Sequence, residues 1–125
     1  RYMLYCRGLK HKRPELQVRF WVEHLGLRPG QIVCQQATAG LMRPAYVVLR
    51  DEELKAVVLC IRGTQSMKDL FTSLTGATKP HHLVTGGEES GPSGVVLGYA
   101  HLGMLAAARW IHRQVVPVLK QALQE

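Results

Sequence analysis

The residues of this sequence best placed for chemistry are Arg62-Gly63-Thr64. They close the apolar run Ala56-Val57-Val58-Leu59-Cys60-Ile61. Ser66 follows as a good helix N-cap, with Asp69 three residues on, like a capping box with a shorter acid. A backbone N–H left free at such a strand-to-helix turn can stabilise a developing oxyanion. Gly63 permits a tight turn and the close approach of another group. The Thr64 hydroxyl adds a second donor or locks the loop. On these residues alone, a plain turn before a capped helix is the stronger reading.

Other reactive residue types are arranged less tellingly. His81-His82 with His101 or His112 fit no strong metal-ligand spacing, so no metal is expected. Glu88-Glu89 form an acidic pair inside a Gly-rich stretch, without a rigid scaffold. Cys60 would pair with a histidine as a nucleophile only if exposed, and its apolar context says buried. The three cysteines, Cys6, Cys34 and Cys60, are widely spaced and lack any CxxC arrangement. That argues against a disulfide framework or a zinc site and fits a reducing compartment. No Gly-rich phosphate loop is present, and no cofactor is expected. The serines are Ser66, Ser73, Ser90 and Ser93, and none lies in a Gly-x-Ser-x-Gly frame.

Length and charge bound the rest. A chain of 125 residues suits one small domain with a core. With 46% apolar and 20% charged residues it has ordinary globular usage. The net charge of +7 raises nucleic acid as a partner. The basic residues are concentrated, however: Arg1, Arg7, Lys10, Lys12 and Arg13 fall in the first 13 positions, which hold no acid. Without aromatic-basic interleaving, nucleic acid ranks last and is not expected as a partner. The basic arm reads as a solvated flanking segment, or more sharply as a patch for acidic phospholipid headgroups. No apolar run approaches the ~18–20 residues that span a bilayer. The sequence starts at Arg1 without a signal-peptide pattern and reads as a piece of a longer protein.

The elements that must position Arg62-Gly63-Thr64 follow from periodicity. Pro14 to Leu25 predicts a helix, with Pro14 at its first position and Gly26 as its C-terminal cap. Gln31–Thr38, Pro44–Arg50 and Lys55–Ile61 predict strands. Asp51-Glu52-Glu53 joins the last two as a hairpin. The third run is nearly all apolar, as in a strand buried on both faces of a parallel sheet. Met67, Leu70, Phe71 and Leu74 place an apolar stripe on a short helix. Gly76 to Gly94 reads as a loop. A long helix follows from about Leu102 to Gln124. Met104, Ala108, Ile111, Val115, Val118 or Leu119, and Ala122 mark its apolar face, and Pro117 is expected to kink or split it. The division is 1–30 as a basic helical segment and 31–125 as an α/β unit. A buried strand and crossover helix call for a further parallel strand, which would lie beyond Glu125. The third strand should therefore present an apolar edge and favour self-association.

Several of these residues together carry a resemblance. Arg62-Gly63-Thr64 with Ser66, Lys68-Asp69-Leu70, Thr72-Ser73-Leu74-Thr75-Gly76 and, later, His101-Leu102-Gly103-Met104 is similar to class 3 lipases. Among them the chain most resembles the sn-1-specific diacylglycerol lipase branch, from about Val33 onward. The resemblance implies a partial α/β-hydrolase fold and hydrolysis of acylglycerol esters by a Ser-His-Asp triad. It places the oxyanion-hole residue on Thr64, whose N–H would bind the tetrahedral oxyanion. It makes Met67, Leu70 and Phe71 lid or substrate-lining residues, although core packing ranks ahead of that role. His101 and Gly103 are carried over as structural. Ser73 stands where the family often has Asp.

The missing elbow and triad put the nucleophile beyond Glu125, so this chain alone is expected to be inactive. The substrate implied is an acylglycerol or phospholipid at a membrane or lipid-droplet surface. Cysteine usage and resemblance together imply an intracellular, membrane-associated full-length protein. The alternative is a non-catalytic module that docks on membrane or an acidic partner through its basic arm.

Overall fold

A computed structural model describes residues 1–63, 78–84 and 94–124. Its centre is the apolar tract from Tyr46. This becomes strand β2 (Tyr46–Asp51), with antiparallel neighbours β1 (Ile32–Gln36) and β3 (Ala56–Ile61) on its two sides. Paired on both edges and covered on both faces, β2 is the most buried strand, with Val47, Val48 and Leu49 fully enclosed.

Alternation along the strands sorts the core into two layers. Val47, Leu49, Val58 and Cys60 meet helices α1 (Tyr2–Gly8) and α2 (Pro14–Leu25) through Tyr5, Leu9, Trp21 and Leu25. Tyr46, Val48, Val57 and Leu59 meet helix α3 (Leu102–Gln124) through Trp110, Ile111, Val115, Val118 and Leu119. The result is a mixed α/β arrangement with helices on both sides of an antiparallel sheet. On β1, Ile32 joins the first layer and Cys34 the second, although residues two apart on a regular strand share a face. A register shift between them inserts the extra residue that turns the strand over.

Several elements follow the sequence closely. α2 starts with Pro14 at its first turn and ends at Gly26, which has a left-handed φ of 69°. The β2–β3 connection is a hairpin. Asp51 accepts hydrogen bonds from the amides of Glu53 (3.0 Å) and Leu54 (3.2 Å), which fixes the turn from its first residue.

Four expectations are corrected. β3 has helices on both faces, which explains its unbroken apolar run, but its pairing with β2 is antiparallel. Among the described residues it lies at a sheet edge, with Ala56 and Ile61 exposed. The first 13 residues are not a solvated arm: α1 buries Tyr5 and Gly8, and Leu9 is fully enclosed. The stretch 76–94, expected to be a loop, contains β4 (Thr78–Val84), which pairs antiparallel with β5 (Gly94–His101) from Thr78↔His101 to Val84↔Gly94, while 85–93 lie outside the described residues. Finally, α3 runs through Pro117 as one 23-residue helix, not two. Val115, Val118 and Leu119 pack on the sheet around that position and hold the helix together across the lost hydrogen bond. Its buried face contains Leu105, Ile111, Val115 and Ala122, while Met104 is exposed.

Candidate functional site

Arg62 and Gly63 leave β3 from a well-anchored strand end. The Arg62 amide donates to the Ala45 carbonyl at 2.8 Å, extending the β2–β3 ladder past Ile61. Opposite Ile61 stands Tyr46. Its ring meets Trp110 of α3 edge-on, with centroids 5.8 Å apart. Its hydroxyl lies 3.7 Å from the Cys34 sulfur. Burial, then the contact with Cys34, pushes the Tyr46 phenol up to about 12, so it stays a neutral anchor. Gly63 is exposed, and a Cβ built on it would meet no atom of the described residues within 4 Å. The chain therefore reaches Gly63 from a strand end that is hydrogen-bonded and packed, and none of the described residues crowds the backbone there.

The predicted site residues Thr64, Met67, Leu70 and Phe71 lie outside the described residues, as do Ser66, Asp69 and Ser73. His101 and Gly103 stand where β5 passes into α3. The His101 Nδ1 accepts from the Met104 amide at 3.4 Å, three residues on, in the manner of an N-cap, and Gly103 is buried. Both thus have structural surroundings. His81 and His82 fall next to each other on β4, at a register shift. Among the described residues no group of His, Cys, Asp and Glu is arranged to hold a metal ion. Cys60 is buried, and burial followed by its contact with Cys6 pushes its thiol up to about 12, which makes it a poor nucleophile toward anything arriving from solvent.

A groove of about 280 Å³ lies along Arg50, Lys55, Val57 and Leu123. It sits at the opposite end of β3 from Gly63, so it is no part of the turn.

The most elaborate polar cluster was not legible in the sequence. The Asp51 side chain is fully buried and accepts from Arg1 Nε at 2.7 Å, from Arg1 Nη2 at 3.0 Å and from the Tyr5 hydroxyl. Arg1 also donates to Glu53 and, at 3.2 Å, to the Leu25 carbonyl. Burial pushes the Asp51 carboxyl up, but the hydrogen bonds from Arg1, Tyr5 and the Leu54 amide outweigh it and hold the group down at about 2. Burial, then Asp51 itself, pushes the Tyr5 phenol up to about 12. Centred on the buried Asp51 carboxylate, this cluster joins α1 to the β2–β3 hairpin, with Arg1 and Glu53 reaching solvent. It also engages Arg1 of the basic arm, while Arg7 lies 6.0 Å from the Phe20 ring centre. No helix among the described residues is long and apolar enough to cross a membrane.

With this geometry in place, comparison with known proteins gives one informative match. The chain is 33% identical over 81 residues to diacylglycerol lipase-beta of Mus musculus. The match covers 62% of this chain and 11% of the lipase. The chain thus spans about a tenth of the length of the curated relative, and is related to a lipase over part of its own length. No protein-family model matches, and no solved structure matches.

Proposed function

We propose that this chain is the N-terminal part of a class 3 lipase catalytic domain of α/β-hydrolase type, acting on acylglycerol esters. The observation that carries the reading is the 33% identity to a diacylglycerol lipase, in a chain whose β3 delivers an open Gly63 directly before Thr64. In this reading the Thr64 N–H donates to the oxyanion of the tetrahedral intermediate. The Tyr46–Trp110 contact keeps the strand end from shifting as charge develops. Met67, Leu70 and Phe71 line the acyl chains or complete the core. The nucleophile, acid and histidine come from sequence outside residues 1–125, because no serine here stands in a Gly-x-Ser-x-Gly frame. The lipid is met at a membrane or droplet surface.

The test is hydrolysis of a diacylglycerol and of a short-chain ester, by this chain and by a longer natural chain that includes a Gly-x-Ser-x-Gly elbow. The short chain shows no turnover. Thr64→Pro in the longer chain removes the N–H and lowers kcat by roughly 10²–10³-fold with little change in KM. Turnover by residues 1–125 that survives replacement of all four serines would overturn the assignment.

A further inference from the structure

We propose that Cys6 and Cys60 are a redox-sensitive pair, closed into a disulfide by hydrogen peroxide and reopened by thiols. Their sulfurs lie 3.5 Å apart although the residues are 54 positions apart in sequence. Cys6 stands on α1 and Cys60 on β3, and both elements are fixed by the same core, with Tyr5 and Leu9 on one side and Val47 and Leu49 on the other. The two sulfurs therefore meet because a helix and a strand are packed, not because a short loop holds them. Reaching a bond length of about 2.05 Å needs a shift of roughly 1.5 Å, within the reach of side-chain torsions.

Exposure separates the two roles. Cys6 is exposed and Cys60 is buried. The exposed Cys6 sulfur attacks the O–O bond of the peroxide as its own proton is lost. One oxygen stays on sulfur as a sulfenic acid, and the other leaves and takes a proton as water. The Cys60 thiol then attacks the Cys6 sulfur and displaces the hydroxyl. The Cys60 proton goes to that leaving group, giving the second water. Two thiols lose two electrons, and one peroxide becomes two waters. Burial keeps Cys60 protonated beforehand, so oxidation begins at Cys6.

The third cysteine is excluded by position. Cys34 belongs to the opposite face of the sheet, beside Tyr46 and against α3. Of the three pairings available, the fold thus selects one. The product ties α1 to β3, the strand that leads to Gly63, and closes a long loop, which restricts the unfolded chain.

The experiment treats the purified protein with hydrogen peroxide, then labels remaining thiols with N-ethylmaleimide in denaturant and maps the peptides by mass spectrometry. The expected result is a linked Cys6–Cys60 peptide, with Cys34 the one labelled cysteine. The melting temperature rises by about 5–15 °C and returns on adding dithiothreitol. Cys34→Ser keeps the link and the rise. Cys6→Ser, an exposed change that leaves the core intact, abolishes both. Cys6 recovered as sulfinic acid with Cys60 still labelled, or a link that includes Cys34, would overturn the proposal.

Discussion

Replacing Asp51 by Asn removes one charge from the interior while keeping the side chain's shape. The wild-type carboxylate accepts from Arg1, Tyr5 and the amides of Glu53 and Leu54, with no solvent exposure. Folding lowers its pKa from 3.8 to about 2. At about 1.4 kcal/mol for each tenfold change in proton affinity, that drop contributes about 2.5 kcal/mol at neutral pH. The unfolded carboxyl binds a proton near pH 4, whereas the folded one resists protonation down to about pH 2. The contribution is therefore complete above about pH 5, shrinks between about pH 4 and 2, and is gone below. Asn accepts through one oxygen only, and its amide N–H groups face donors. Asp51→Asn should thus lose about 2–3 kcal/mol at pH 7. Urea titrations followed by circular dichroism from pH 7 down to pH 2 give the measurement. The gap between the two proteins should close as the pH approaches 2. A gap under about 0.5 kcal/mol at pH 7, or one that stays constant across the range, would refute the account of this cluster.

Two further perturbations probe packing and the sheet edge. A Cβ on Gly8 would lie 2.0 Å from Trp21 Nε1, and Trp21 is fully buried, so Gly8→Ala should cost at least about 3 kcal/mol in chemical denaturation. A loss under about 1 kcal/mol would mean that α1 and α2 do not pack as described. Ile61 is 46% exposed at the end of an edge strand, so Ile61→Lys should reduce self-association in sedimentation velocity while leaving the melting temperature nearly unchanged. Unaltered association in that variant would show that the β3 edge is not the contact.

The local grammar of the chain was readable wherever neighbours in sequence settle the outcome. The helix from Pro14 to Leu25 needed only its proline start, its apolar spacing and Gly26. The hairpin at Asp51 needed only a short polar link between two apolar runs. Strand β4, inside the stretch that reads as a loop, is not legible because Pro80 and the adjacent histidines carry no strand alternation. The pairing of β4 with β5 comes from partners ten or more residues away. The basic arm was misread for a related reason: charge density hid Tyr5 and Leu9, whose burial depends on a sheet formed much later in the chain.

The candidate site divides along the same line. Residue types alone marked the turn after the third apolar run, because a glycine followed by a hydroxyl residue after a buried strand is a local signal. Whether Cys60 is a nucleophile, a core atom or one half of a thiol pair depended on what the fold brought beside it. The sequence determined its strand and its apolar neighbours. Only the packing of α1 on β3 placed Cys6 3.5 Å away, and only the β2–β3 turn carried Asp51 to Arg1 and Tyr5. Such contacts join residues about fifty positions apart, and no spacing rule reaches that far. Periodicity fixes which face a side chain occupies, and the assembled core fixes what that face meets.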